Sequence, residues 1–208
     1  MIDLLSAHPA TVFLIAANVI LSFLALANPT FMDNNIFHVE PIVEHREFHR
    51  LLTSGFLHGG GLHLLINMYV LWSFGAWLEG VLGPLRYLFV YVASLIGGSL
   101  WALMENRTKL QYRALGASGA VSGLVLSVCL LVPFAWLGVF FIPMPAVVFG
   151  VLFIVLSAVL AQRDHKIIGH EAHLGGALTG IVATILVAPG ALSRFSEQIA
   201  AVLGGVDL

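Results

Sequence analysis

Residues 114–162 read ALGASGAVSGLVLSVCLLVPFAWLGVFFIPMPAVVFGVLFIVLSAVLAQ, a run without one Asp, Glu, Lys or Arg. A helix needs about 20 apolar residues to cross the roughly 30 Å hydrocarbon core, so the run is too long for one span. Pro133, Pro143 and Pro145 divide it into two helices, 118–132 and 146–161. The first opens on Ser118 within Gly116-Ala117-Ser118-Gly119, which sets a hydroxyl where lipid is expected.

The whole chain has the same character: of 208 residues, 59% are hydrophobic and 10% charged, with a mean hydropathy of +0.98. A soluble domain does not have this composition. Further apolar runs occupy 10–27, 62–82, 87–104 and 172–188; Asn67 lies inside the second, and Pro189-Gly190 closes the last. Each is expected to be a helix, because lipid offers no partner for unpaired backbone N–H and C=O groups. The reading is an all-α membrane protein of six transmembrane helices with a long first loop, one domain over 1–208. The fourth and sixth spans are short, so their ends are expected below the membrane surface.

Met1-Ile2-Asp3-Leu4 has an acid where a signal peptide has positive charge, and no cleavable signal is expected. Cys129 is the only cysteine, which excludes intramolecular disulfides and cysteine-rich metal sites. A net charge of −2 without a basic stripe gives no sign of a nucleic-acid partner.

With six spans, loops 1, 3 and 5 share one side of the membrane. His38, His45, His49, His58, His63, His165, His170 and His173 belong to that side and His8 does not. Ser118, His63, Asn67 and His173 then share one depth although three distant segments supply them. Arg46, Arg50, Arg107, Lys109, Arg113, Arg163 and Lys166 also fall there, against Arg86 and Arg194 opposite, so the positive-inside rule puts the polar side in the cytoplasm.

A serine hydroxyl becomes a useful nucleophile when a neutral imidazole accepts its proton. His173 is followed by Gly176 and Gly180, a bare helix face that lets a neighbour approach closely. Gly119 and Gly123 form the matching face after Ser118, so contact of the two faces brings Ser118 and His173 together as a dyad. His63 and Asn67, spaced i, i+4, share a helix face and can donate to one oxyanion beside the N-terminus of the fourth helix. Glu171, two residues before His173, is expected on nearly the opposite face, so the dyad has no acid.

Plainer readings stand beside these. Ser118 is also a helix cap. His63 and His173 also suit intramembrane histidines bonded to carbonyls, and Asn67 a helix-to-helix amide. His38, His45, His49, His165 and His170 read as solvated or interfacial loop residues.

In order and spacing these motifs resemble those of the rhomboid intramembrane serine proteases, a resemblance that covers all six helices. Gly116-Ala117-Ser118-Gly119 is similar to the family's GxSG, His63 to Asn67 to its HxxxN, and Ala172-His173 with Gly176 and Gly180 to its AHxxGxxxG. Glu47-Phe48-His49-Arg50 resembles the ExWR of the first loop, with His49 in the tryptophan position, and His58 matches a histidine five residues before HxxxN. Ser122 stands where many members have an aromatic ring against the catalytic histidine.

The resemblance implies Ser118 as nucleophile, His173 as general base, and His63 and Asn67 as oxyanion donors, with no cofactor and no metal. Its substrates are transmembrane proteins cut in or near their spans. The family's habit also implies a multi-pass protein of the plasma (inner) membrane with the site opening to the extracytoplasmic side, against the Lys and Arg count. A rhomboid-like pseudoprotease that binds transmembrane clients without cutting them is the alternative. A six-helix transporter or metal carrier is poorly supported, since no thiolate or intramembrane carboxylate joins the histidines.

Overall fold

The computed structural model describes residues 6–139, 142–161 and 170–205, without the side chains at 139, 156–161 and 170. His165 and the His170 side chain lie outside the described residues.

The chain is mostly helical, at 77%. Helix α1 (Pro9–Ala27) starts on a proline whose missing N–H costs nothing at that position. Its next two N–H groups, on Ala10 and Thr11, donate to Glu79 at 2.9 and 2.8 Å, and the Thr11 hydroxyl donates to the same carboxylate at 2.8 Å. Glu79 is thus buried because it caps another helix. The long first loop folds into short helices α2 (Pro29–Asn35), α3 (Val39–Glu44) and α4 (Arg50–Thr53). Arg50 pins them: its guanidinium donates to Glu47 at 2.6 Å, to Ile36 O at 3.0 Å and to Asp33 O. His49 bonds the same loop through Asn34 O at 3.1 Å.

The second span runs unbroken over Gly61–Leu82, as α5 (Gly61–Val70), a π turn (Leu71–Gly75) and α6 (Ala76–Leu82). The remaining helices are α7 (Pro84–Asn106), α8 (Ser118–Leu131), α9 (Ala146–Ala161), α10 (His170–Val187) and α11 (Ala191–Leu203).

Among the described residues three helices are long and apolar enough to cross a membrane: Pro9–Ala27, Gly61–Leu82 and Pro84–Asn106. A fourth emerges if α10 and α11, bent by 105° at Pro189-Gly190, count as one. The 14 residues of α8 reach only about 21 Å, short of the hydrocarbon thickness.

The all-α expectation needs one correction. Two small antiparallel ladders occur, β1 (Phe37–His38) with β2 (Arg113–Ala114), and β3 (Trp136–Val139) with β4 (Ile142–Pro145). Both lie in connections between the long helices, which pair their backbone groups internally as lipid requires. Pro143 and Pro145, read as helix breakers, sit in β4 opposite Gly138 and Trp136. The first ladder ties the first loop to the third, and this tie forms one wall of the site.

At the centre, α10 packs against both α7 and α8, and small residues permit it. A β-carbon added at Gly180 would fall 2.6 Å from Gly123 O, and one at Gly176 would fall 2.7 Å from the carbonyl carbon of Gly119. On the α7 side, Gly98 leaves room for Ala172 O, 2.6 Å from an added β-carbon.

Candidate functional site

The facing glycines bring together the two residues that the sequence paired. His173 Nε2 and Ser118 Oγ are 2.7 Å apart, with both residues half-buried. The hydroxyl donates when the imidazole carries its proton on Nδ1, which leaves Nε2 as the acceptor.

Ser118 opens α8 after a turn that only glycine adopts freely: Gly116 has φ +121°, and its N–H donates to Ser54 O at 3.0 Å. A β-carbon at Gly116 would stand 2.9 Å from His63 Nε2 and 3.8 Å from Ser118 Oγ. One point above Gly116 is therefore near both groups. Asn67 is placed differently. It is buried, does not line the cavity beside Ser118, and its amide donates to His63 O at 3.0 Å.

That cavity, about 820 Å³, is lined by His63, Gly116, Ser118, Tyr112, Ala172 and Phe37 among others. It is large enough for a short extended peptide segment and has walls from the first loop, the third loop and α5.

Three supports come from contacts across the bundle. Phe153 on α9 stacks on His173, with ring centroids 6.4 Å apart and planes 29° apart. An aromatic ring thus lies against the imidazole although Ser122 stands in the usual aromatic position, and Ser122 instead donates to Ser118 O at 2.6 Å. His58 is fully buried, with Nδ1 2.9 Å from Ser22 Oγ, and its Nε2 accepts the N–H of Ala117 at 3.4 Å. Ser22 donates its own hydroxyl to Phe56 O at 3.1 Å, so its oxygen is left to accept from His58 Nδ1. Burial first, and then His63 alongside, pushes the His58 imidazole down to about 4, so it stays neutral and holds the residue before the serine. Glu171 is also buried, paired away from the dyad with Asn106 at 2.8 Å.

A Rhomboid domain model matches residues 45–190. The chain belongs to the rhomboid family. The match excludes the first helix, so it is narrower than the expected resemblance. This rhomboid is 31% identical to RHOMBOID-like protein 12, mitochondrial, of Arabidopsis thaliana, over 78% of the chain and 53% of that relative. It is 35% identical to the human Presenilin-associated rhomboid-like protein, mitochondrial, over 63% of the chain and 36% of that protein. Rhomboid protein 1, mitochondrial, of Saccharomyces cerevisiae is 33% identical over 64% of the chain and 40% of its own length. The chain thus spans about half or less of these relatives.

Their names correct one expectation. A plasma-membrane location with the site opening to the extracytoplasmic side is contradicted by relatives that are mitochondrial proteins. Apolar spans report the thickness of a hydrocarbon core, which differs little between these membranes, and so carry no organelle label.

Proposed function

We propose that this rhomboid is an intramembrane serine endopeptidase that hydrolyses a peptide bond in or near the transmembrane segment of another membrane protein. The observation that carries the reading is the 2.7 Å hydrogen bond between Ser118 Oγ and His173 Nε2 beside a peptide-sized cavity. A serine hydroxyl held against an imidazole at the start of a helix is the arrangement that acyl transfer requires.

Ser118 Oγ attacks the scissile carbonyl as its proton passes to His173 Nε2. The carbonyl oxygen becomes an oxyanion that His63 and the N–H groups at the start of α8 stabilise, helped by the positive end of that helix. Asn67 serves through His63, whose backbone its amide holds. His173 then gives its proton to the leaving amine, and water attacks the acyl-enzyme with His173 again as base. The chemistry of this side-chain set is complete without metal or cofactor.

The finer architecture belongs to the same proposal. Residues 1–208 act as one domain whose six helices cross or enter the bilayer, the short α8 carrying the serine below its surface. The partners are lipid and transmembrane substrates, and the relatives' names support a mitochondrial membrane.

The test uses purified protein in proteoliposomes with single-pass substrates. Fluorophosphonate should label Ser118 and substrate should be cut, and Ser118→Ala and His173→Ala should each lose both activities. Cleavage that survives Ser118→Ala refutes the mechanism. Tight binding of single-pass clients without labelling or cleavage would make the protein a binder instead.

A further inference from the structure

Glu171 is a fully buried carboxylate. It accepts from Asn106 Nδ2 at 2.8 Å, and Asn106 is itself fixed on the last turn of α7 by a 3.0 Å bond to Ala102 O. Tyr112 in the third loop lies close by: burial first, and then Glu171, push its phenol well up. The Tyr112 ring meets Phe37 edge-on at 6.0 Å, its carbonyl accepts from Val39 N at 3.1 Å, and both rings line the cavity beside Ser118.

The three consecutive residues that open α10 are therefore held from three directions. Glu171 is tied to α7 through Asn106. Ala172 O is wedged between Gly98 and Gly119, 2.6 and 3.2 Å from β-carbons built on them. His173 reaches Ser118. Rotation or sliding of this turn moves all three together.

Stability alone does not call for such a cluster. A buried polar group is costly to bring out of water, and well-packed apolar side chains of similar volume often serve stability as well or better. What hydrogen bonds add is a single geometry, since their strength falls steeply with distance and angle. That geometry connects the imidazole to the wall of the cavity.

We propose that Glu171 is a positioning residue: by bonding Asn106 of α7 beside Tyr112 of the third loop it fixes the first turn of α10, and with it both His173 and the adjoining cavity wall on which the substrate chain rests. This rests on the protease reading above. It also explains why an acid two residues from the base need not be part of a triad. Its carboxylate acts on the helix backbone and the neighbouring loop, and His173 follows.

The experiment compares Glu171→Gln, Glu171→Leu and Tyr112→Phe in the full chain, with rates counted per folded molecule. Gln keeps an oxygen to accept from Asn106, so Glu171→Gln should cleave within about threefold of wild type. Glu171→Leu should remain folded, yet lose at least about tenfold in both kcat and fluorophosphonate labelling, because a misplacement near 1 Å suffices for such losses. Tyr112→Phe, which alters only the cavity wall, should act chiefly on KM. The ¹⁵N signal of His173 should show its hydrogen bond to Ser118 in wild type and Glu171→Gln and lose it in Glu171→Leu.

A folded Glu171→Leu protein with wild-type kcat, labelling and His173 signal overturns the proposal. So does activity that falls only as the folded fraction falls, since that is structural support. If Glu171→Leu does not fold, Asn106→Ala decides, with reduced kcat per folded molecule expected and wild-type kcat contrary. A wild-type protein inert to probe and substrate refutes the protease reading, while the His173 signal still tests the positioning.

Discussion

Gly176→Ala is the sharpest perturbation of the helix contact that builds the dyad. The added methyl would fall on the carbonyl group of Gly119, 2.7 Å from its carbon, where ordinary contact begins at 3.4 Å. Both partners are backbone, so no side chain can turn aside, and α8 and α10 must separate by about 0.7 Å or more. The Ser118 to His173 bond, 2.7 Å long and less than one helical turn away, then opens to about 3.4 Å or beyond, the edge of hydrogen bonding. Two stability effects compete. Alanine in place of glycine gains roughly 1 kcal/mol within a helix, and overpacking against rigid backbone costs about 1–3 kcal/mol, so the net change is a loss. The effect on rate should be larger, about 10- to 100-fold in labelling and cleavage, since proton transfer depends on near-attack geometry. Gly80→Ala is the control, because its methyl would meet only His8 Cε1 at an ordinary 3.6 Å. Labelling rate, cleavage rate and melting temperature in one detergent measure all three quantities. A Gly176→Ala protein that labels and cleaves as wild type refutes the claim that glycine contact sets the dyad.

Other perturbations address other parts of the molecule. Phe153→Ala removes the ring stacked on His173 and should slow labelling about tenfold with little change in melting temperature; an unchanged rate would show that the ring does not orient the base. Glu79→Ala leaves the N–H groups of Ala10 and Thr11 without their acceptor, so melting should fall by the equivalent of about 2–5 kcal/mol while labelling per folded molecule stays constant. His58 binds its proton more weakly folded, near 4, than unfolded, near 6.5, so acid favours the unfolded state. Its contribution is complete above about 6.5 and is lost as pH falls toward 4. Wild type should therefore lose melting temperature more steeply than His58→Gln between pH 7 and 5, and parallel curves would refute the assignment.

The sequence carried more of this molecule than is usual, because lipid narrows the choices. Apolar runs 10–27 and 62–82 coincide with helices Pro9–Ala27 and Gly61–Leu82 to within a residue, since every buried backbone group must pair within its own helix. Ser118, His173 and the two glycine faces were legible for a related reason: a hydroxyl, an imidazole and bare helix faces are conspicuous amid leucine and valine. The local pattern could not give what depends on contacts across the bundle. Nothing in the local pattern names Asn106 as the hydrogen-bond partner of Glu171, because the two are 65 residues apart. Phe153 was indistinguishable from any other apolar residue in the uncharged run.

By itself, then, the sequence determined that the chain is helical and membrane-bound, and which side chains are candidates for acyl transfer. Periodicity and composition encode these locally. Only the tertiary structure decided that Gly176 meets Gly119, that Asn67 turns back to its own helix, that Phe153 stacks on His173, that His58 holds Ala117 and that Glu171 bonds Asn106. Such contacts follow from how helices pack, and packing is set by the whole bundle at once.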